Sequence, residues 1–80
     1  MTDTILRLPA VKTNTGLARS TIYLRVAQGE FPKPVSLGGR AVGWPASEVA
    51  ALNSARIAGK SNAEIRDLVA KLEAARKTVA

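Results

Sequence analysis

The sequence predicts a mainly α-helical fold with one small two-stranded β-hairpin and a C-terminal amphipathic helix. Two short helical segments, residues 8–15 and 18–28, are separated by Gly16, and glycine commonly closes a helix. Two short β-prone runs, 35–37 and 41–44, then flank a Gly-Gly-Arg turn, which indicates a hairpin. Two helices joined by a tight turn and followed by a hairpin are the elements of a winged helix-turn-helix.

The first helix is expected to be short and to follow a loose N-terminal arm at residues 1–5. Pro9 marks its first turn, where the N–H that proline lacks would have no helical partner. Leu8 and Val11 lie on its inward side, and Leu17 is expected between the first two helices. These three side chains are therefore candidates for the core.

The second helix has a buried face centred on Ile22 and Val26, when it is drawn on a wheel of about 100° per residue. The opposite face is short and polar except at Leu24, and such a face suits close approach to base edges in a DNA groove. Leu24 is interpreted as an ordinary exposed leucine, with contact to a thymine methyl group as the alternative. The outward residues are Ser20, Leu24 and Ala27, and the flanks carry Thr21 and Gln28 on one side, Arg19 and Tyr23 on the other, and Arg25 at the border.

The segment after the second helix cannot continue it, because Pro32 and Pro34 keep the chain extended. Phe31 and Trp44 are interpreted as core residues that attach the hairpin to the helices, since base-stacking platforms serve single strands. Arg40 stands at the hairpin tip or next to it, where an arginine can reach a phosphate or a narrow minor groove. The alternative for Arg40 is a solvated loop arginine.

A third helix is expected from Pro45 to about Arg56. Val49 and Leu52 are its inward residues. With this helix the predicted winged helix-turn-helix domain, residues 1–56, is complete.

Residues 57–80 are expected to form the C-terminal amphipathic helix, with Ser61 and Glu64 as a capping box at its start. The helix either braces its own domain or pairs with the same helix of a second subunit. We favour the second interpretation, self-association. Its apolar stripe spans fewer than three heptads, too few to identify a coiled coil. The stripe consists of Ile65, Leu68, Val69, Leu72 and Val79, and the first four are the candidate dimerisation residues.

The charge balance favours a nucleic-acid partner and argues against an enzyme. Twelve Lys and Arg residues against six Asp and Glu give a net charge of +6, and residues 1–44 hold six basic residues against two acidic ones. The excess therefore lies where the helix-turn-helix is predicted, as phosphate contact requires. The chain has no cysteine, no histidine and no paired carboxylates. We therefore expect no catalytic residue, no metal and no cofactor.

Several short motifs follow one another along the chain: RLP at 7–9, TGL at 15–17, RSTIY at 19–23, Gly29, FPKPV at 31–35, LGGRAVGW at 37–44 and SEV at 47–49. Their order and spacing resemble those of the AlpA-type regulators of prophages and other mobile elements. These regulators belong to the larger group of excisionase-like and MerR-like winged-helix proteins. The likeness covers about residues 6–56. The chain departs from the family pattern at Ala18, which is often serine or threonine, and at Leu24, which is often basic.

The resemblance implies a sequence-specific double-stranded DNA-binding protein that regulates transcription on a prophage or mobile element. Its recognition helix would enter the major groove, and its hairpin would touch the backbone or minor groove as a wing. One alternative is an excisionase, which binds repeated sites and bends DNA for an integrase, and a lesser one is a protein-interaction adaptor. RNA is disfavoured because its major groove is too narrow for a helix. The candidate DNA-binding residues are Arg19, Ser20, Thr21, Tyr23, Arg25, Lys33, Arg40 and Lys12.

The expected partners follow from these alternatives. Double-stranded DNA comes first, and an integrase or RNA polymerase is the corresponding protein partner. The start of the chain, residues 1–4, is acidic where a signal peptide would be basic, and the sequence has no long apolar run. We therefore expect a cytoplasmic, nucleoid-associated protein without a membrane partner.

Overall fold

A computed structural model describes residues 4–76, which form four helices and a small three-stranded antiparallel sheet. This mainly helical architecture is compatible with a winged helix-turn-helix. The first helix has the predicted bounds, the second and third differ from prediction by one residue at each end, and the last begins directly after its predicted cap, Ser61. The predicted end of the last helix, with Val79 of its stripe, lies outside the described residues. The helices are α1 (Leu8–Thr15), α2 (Arg19–Ala27), α3 (Ala46–Ile57) and α4 (Asn62–Ala75), and the strands are β1 (Ile5–Leu6), β2 (Val35–Ser36) and β3 (Val42–Pro45).

The sheet has three strands, so the prediction of a two-stranded hairpin is wrong by one strand. Ile5, predicted as part of a loose arm at residues 1–5, belongs to β1, and residues 1–3 of that arm lie outside the described residues. β1 runs antiparallel to β3, with Ile5 opposite Pro45 and Leu6 opposite Trp44. Gly43 permits this close approach, because a Cβ there would lie 2.5 Å from Ile5 Cγ2 and 2.9 Å from the Leu6 carbonyl oxygen. The strand order is β1-β3-β2, and β3 is the central strand.

A tight turn joins α1 to α2. Gly16 adopts a left-handed conformation with φ 72°, and its N–H donates to the Lys12 carbonyl oxygen at 2.8 Å. Leu17 follows as a half-buried residue packed against the core, as predicted. Ala18 precedes α2 in an extended conformation and gives it no side-chain hydrogen bond. The backbone N–H groups in the first turn of α2 therefore have no side-chain cap.

One hydrophobic core connects the helices to the sheet. Trp44 is fully buried, and its ring meets Phe31 edge-on with the ring centroids 6.0 Å apart. The indole N–H of Trp44 donates to the Pro32 carbonyl oxygen at 2.8 Å. These contacts confirm the core role predicted for Phe31 and Trp44. The buried apolar residues are Val11, Ile22, Phe31, Trp44, Val49, Leu52, Ile65 and Val69.

α4 begins at the predicted capping box and packs against the rest of the chain. The Ser61 hydroxyl accepts the Glu64 N–H at 3.2 Å, and the Glu64 carboxylate accepts the Ser61 N–H at 3.1 Å. Hydrogen bonding with Ser61 holds the pKa of the Glu64 carboxyl below its ordinary value. The backbone of Ser61 has the larger effect and its side chain the smaller one. Ile65 and Val69 lie in the shared core. The helix is thus attached to its own domain by its apolar stripe.

An ion pair connects the C-terminal end of α4 to the first turn of α3. Glu48, in the first turn of α3, is 5% exposed, and its carboxylate accepts a hydrogen bond from Arg76 Nε at 2.8 Å. This hydrogen bond raises the pKa of Arg76 against the opposing effect of burial. The start of α3 is therefore joined to the residue that ends α4.

Candidate nucleic-acid interface

The outward face of α2 lies where the helical wheel places it. Ser20, Leu24 and Ala27 are exposed, and Leu24 reaches 56% exposure. On the opposite side, Ile22 is fully buried and Val26 packs against the core. α2 therefore presents a short face of small side chains, interrupted by one leucine.

One flank of α2 faces the hairpin. The rings of Tyr23 and Trp44 meet edge-on, with centroids 6.2 Å apart and an interplanar angle of 61°. The guanidinium carbon of Arg19 lies 5.8 Å from the centroid of the Tyr23 ring, which is within cation–π range. Contact is thus continuous from an arginine on the surface of α2 to a buried tryptophan of β3.

The other flank of α2 faces α3. Arg25 is half-buried and lines a cavity together with Glu30, Asn53 and Arg56. Thr21, one turn earlier, is also half-buried. The two arginines predicted on α2 therefore lie on different flanks, Arg19 towards the hairpin and Arg25 towards α3.

Arg40 lies in the turn between β2 and β3. The Leu37 N–H donates to the Ala41 carbonyl oxygen at 2.8 Å, and the Ala41 N–H donates to the Gly38 carbonyl oxygen at 3.1 Å. Gly38 and Gly39 have φ values of 102° and 56°, which residues other than glycine rarely adopt. This geometry leaves the Arg40 side chain exposed at the tip of the hairpin.

Ion pairing divides the cations of residues 4–76 into two groups. Four carboxylates pair with cations of α3, α4 and the segments beside them: Glu30 with Arg56 and Arg66, Glu48 with Arg76, Glu64 with Lys60, and Asp67 with Lys71. The remaining described carboxylate, Glu73, accepts a hydrogen bond from the Lys33 backbone N–H at 2.8 Å. Within the described residues, no ion pair involves the side chain of Arg7, Lys12, Arg19, Arg25, Lys33 or Arg40. The unpaired positive charge therefore belongs to α1, α2, the hairpin and their connections.

The predicted DNA-binding residues lie on three parts of the fold. Arg19, Ser20, Thr21, Tyr23 and Arg25 are on α2, Lys12 is exposed in the last turn of α1, and Lys33 and Arg40 are exposed before β2 and in the hairpin turn. The structure brings Arg19 and Tyr23 into direct contact. Arg7, at the N-cap of α1, is not among the predicted residues, although it is exposed and has no ion-pair partner within the described residues. Its signals in the sequence are its charge and its place at the start of the RLP motif.

The residues predicted for a subunit contact lie against the chain's own core. Ile65 and Val69 are 0% and 3% exposed. Leu68 and Leu72 are half-buried and pack against the same core. Contact with a second subunit through Ile65 and Val69 would therefore require α4 to leave its own domain.

Two other kinds of feature are absent from the described part of the chain. Between residues 4 and 76, no cluster of three or more His, Cys, Asp or Glu side chains could hold a metal ion. No helix in this range combines the length and the apolar character needed to cross a membrane. The distinctive surface chemistry of the described residues is a set of unpaired cations beside small polar and aromatic side chains.

The fold and this surface define a small helical protein whose first two helices and hairpin carry exposed, unpaired cations. The chain belongs to the AlpA family, because residues 4–57 match the family described as "Prophage CP4-57 regulatory protein (AlpA)". The match runs from the residue before β1 to the end of α3. The resemblance drawn from the sequence motifs is thereby confirmed.

Two relatives are similar to this chain over much of its length. Uncharacterized protein ORF88 of Enterobacteria phage P4 is 52% identical over 58 residues, which are 72% of this chain and 66% of that protein. The DNA-binding transcriptional activator AlpA of Escherichia coli strain K12 is 45% identical over 51 residues, which are 56% of this chain and 73% of that protein. The chain thus spans slightly less than two thirds of the phage protein.

Proposed function

We propose that this chain is a sequence-specific double-stranded DNA-binding protein that regulates transcription on a prophage or mobile element. The division of its cations into paired and unpaired groups carries the proposal, because the unpaired ones lie on and around α2 and the hairpin. Membership of the AlpA family and the similarity to the E. coli transcriptional activator support DNA as the partner and transcription as the output.

The charge argument rests on what an ion pair does to a cation. A lysine or arginine that is paired with a carboxylate contributes little net field, and DNA must displace its partner before a phosphate can bind. An unpaired cation keeps its charge and can replace a counterion on the DNA directly, which is the main source of affinity for DNA. The described carboxylates of this chain leave the cations of α1, α2 and the hairpin unpaired.

In this proposal the fold works as a winged helix-turn-helix, with α2 in the major groove and the β2–β3 turn as the wing. The small exposed side chains of α2, such as Ser20, allow the helix to approach base edges. The uncapped first turn of α2 offers backbone N–H groups to a phosphate. The contacts to bases or phosphates come from Arg19, Ser20 and Thr21, with Tyr23 beside Arg19 on the same flank of α2. The backbone contacts come from Arg25, Lys33, Arg40 and Lys12.

The domain organisation follows from the same proposal. Residues 1–56 form the DNA-binding domain, and residues 57–80 carry α4 as a brace for it. The burial of Ile65 and Val69 in the common core supports the brace. The Glu48–Arg76 ion pair supports it at the other end of α4.

The salt dependence of DNA binding tests the proposal. A binding site is first selected from a randomised duplex library, and the Kd for that site and for a random duplex is then measured by fluorescence anisotropy at several salt concentrations. Four phosphate contacts predict a slope of log K against log salt of roughly −3.6, at about −0.9 per contact on B-DNA. A chain that selects no site and binds duplexes without salt dependence would refute the proposal.

A pair of charge-matched variants shows whether the binding surface is the proposed one. Arg40→Ala and Lys71→Ala each remove one exposed positive charge, but Lys71 lies on α4 and pairs with Asp67 at 3.0 Å. We expect Arg40→Ala to weaken binding to both duplexes about equally and to reduce the salt slope by roughly one. Lys71→Ala should leave the slope unchanged. Equal effects of the two variants would show that only net charge matters and that the wing does not reach DNA.

A further inference from the structure

We propose that Tyr23 is a positioning residue, whose ring holds the guanidinium of Arg19 in place for DNA instead of contacting DNA through its own hydroxyl. This inference rests on the proposed function, since it assigns a role within the proposed interface. It is carried by the contact between Arg19 and the Tyr23 ring and by the contact of the same ring with Trp44.

The Tyr23 ring lies between an exposed group and a buried one. On one side it is 5.8 Å from the Arg19 guanidinium carbon, and on the other it meets the Trp44 ring at 6.2 Å. Trp44 is fully buried and donates its indole N–H to the Pro32 carbonyl oxygen at 2.8 Å. It also meets Phe31 edge-on in the core. The tyrosine ring is therefore supported by a fully buried, hydrogen-bonded residue of the core.

Arg19 is the group that benefits from this support. It is the first residue of α2, it is exposed, and it has no carboxylate partner within the described residues. A free arginine side chain samples many rotamers and loses that freedom when it binds, whereas a guanidinium held over an aromatic face has already lost part of it. A cation–π contact keeps the positive charge unneutralised, so the guanidinium remains available to DNA. Tyr23 can thus restrict Arg19 without cancelling its charge.

The same contacts connect the two DNA-facing elements of the proposal. Trp44 belongs to β3, the strand that follows the hairpin turn, while Tyr23 and Arg19 belong to α2. The aromatic contact therefore sets the position of the guanidinium of Arg19 relative to the hairpin. Arg25, on the other flank of α2, makes no cation–π contact among the described residues.

A double-mutant cycle in the full chain tests the inference, with Arg19→Ala, Tyr23→Leu, Tyr23→Phe and the two combinations that contain Arg19→Ala. Affinity for the selected duplex is measured at a temperature where every variant is folded, as checked by circular dichroism. We expect Tyr23→Phe to stay within twofold of the parent, because the ring is retained. Tyr23→Leu should weaken binding about two- to fivefold, the range that an exposed cation–π contact predicts. In the Arg19→Ala background, Tyr23→Leu should have no further effect, because there is no guanidinium left to position.

Each outcome of the cycle has a distinct meaning. If Tyr23→Phe loses as much affinity as Tyr23→Leu, the hydroxyl contacts DNA and the positioning role is overturned. If Tyr23→Leu weakens binding equally with and without Arg19, Tyr23 acts independently of the arginine, and the role is again overturned. If Arg19→Ala has no effect on affinity, Arg19 does not contact DNA and the inference fails while DNA binding itself stands.

A measurement on the free protein separates failure of the inference from failure of the proposed function. A nuclear Overhauser contact between the Arg19 side chain and the Tyr23 ring protons is expected in the parent chain. Absence of this contact overturns the inference even when DNA binds. Presence of the contact in a chain that binds no DNA refutes the proposed function and, with it, the purpose assigned to the contact. The two failures therefore give different pairs of results.

Discussion

Replacing Ile65 with alanine should weaken the attachment of α4 and destabilise the whole chain. Ile65 is 0% exposed and lies in the shared core. The substitution removes three carbon groups, which corresponds to about 2.4 kcal/mol of transfer free energy at about 0.8 kcal/mol each. The cavity that remains adds to this loss, so we expect about 3–5 kcal/mol, in the upper part of the range for such truncations. A domain of this size has about 4–12 kcal/mol of stability in total.

Thermal unfolding followed by circular dichroism measures the effect, and a second isoleucine provides the control. A loss of at least about 3 kcal/mol should lower the Tm by about 12 °C or more in a domain of this length. Ile57→Ala is the matched control, because Ile57 is 87% exposed and should change stability by less than about 0.5 kcal/mol. If α4 is a brace, cutting the chain after Arg56 should also destabilise the remaining domain.

The opposite result would restore the alternative of a subunit contact. In that case Ile65→Ala would unfold at the same temperature as Ile57→Ala when the chain is dilute. Sedimentation at high concentration would show a dimer in the parent chain and a monomer in the variant. Such a pair of results would mean that α4 leaves its own domain in solution, and the reasoning from burial would be wrong.

Two further predictions concern α2, the proposed recognition helix, and the sheet. Thr21→Ala should cost about 1–3 kcal/mol at the selected duplex and less at a random one, if Thr21 contacts a base, and equal losses in the anisotropy titrations would exclude that role. Gly43→Ala should destabilise the fold by about 1–3 kcal/mol, because the new Cβ would lie 2.9 Å from the Leu6 carbonyl oxygen and push β1 away from β3. An unchanged Tm for this variant would show that β1 and β3 are not in contact.

The ends of the helices could be predicted from the sequence because local chemistry marks them. Gly16 closes α1 in the left-handed conformation, and Ser61 and Glu64 form the capping box that opens α4, both at the predicted positions. These signals act through backbone groups within a few residues, so distant contacts do not change them. The helical period likewise placed Ile22 inside and Leu24 outside on α2.

The third strand could not be predicted in the same way. Ile5 and Leu6 are too short a run to indicate a strand, and their partner β3 lies far along the sequence. The missing side chain of Gly43 makes room for them, but a glycine in a β-prone run is equally consistent with a bulge or a bend. Pairing between distant segments is a property of the assembled fold, so only the structure revealed it.

The sequence by itself determined that the chain is basic, that its helices begin and end near their observed positions, and that one face of α2 is small and exposed. Only the tertiary structure decided which cations remain unpaired, because the pairing residues are distant in the sequence. Glu30 pairs with Arg66, at a separation of 36 residues, and Glu48 pairs with Arg76, at a separation of 28 residues. The tertiary structure also decided where α4 packs. An amphipathic stripe has the same pattern whether it covers its own core or a partner's, so only the structure could show that Ile65 and Val69 are buried within their own chain.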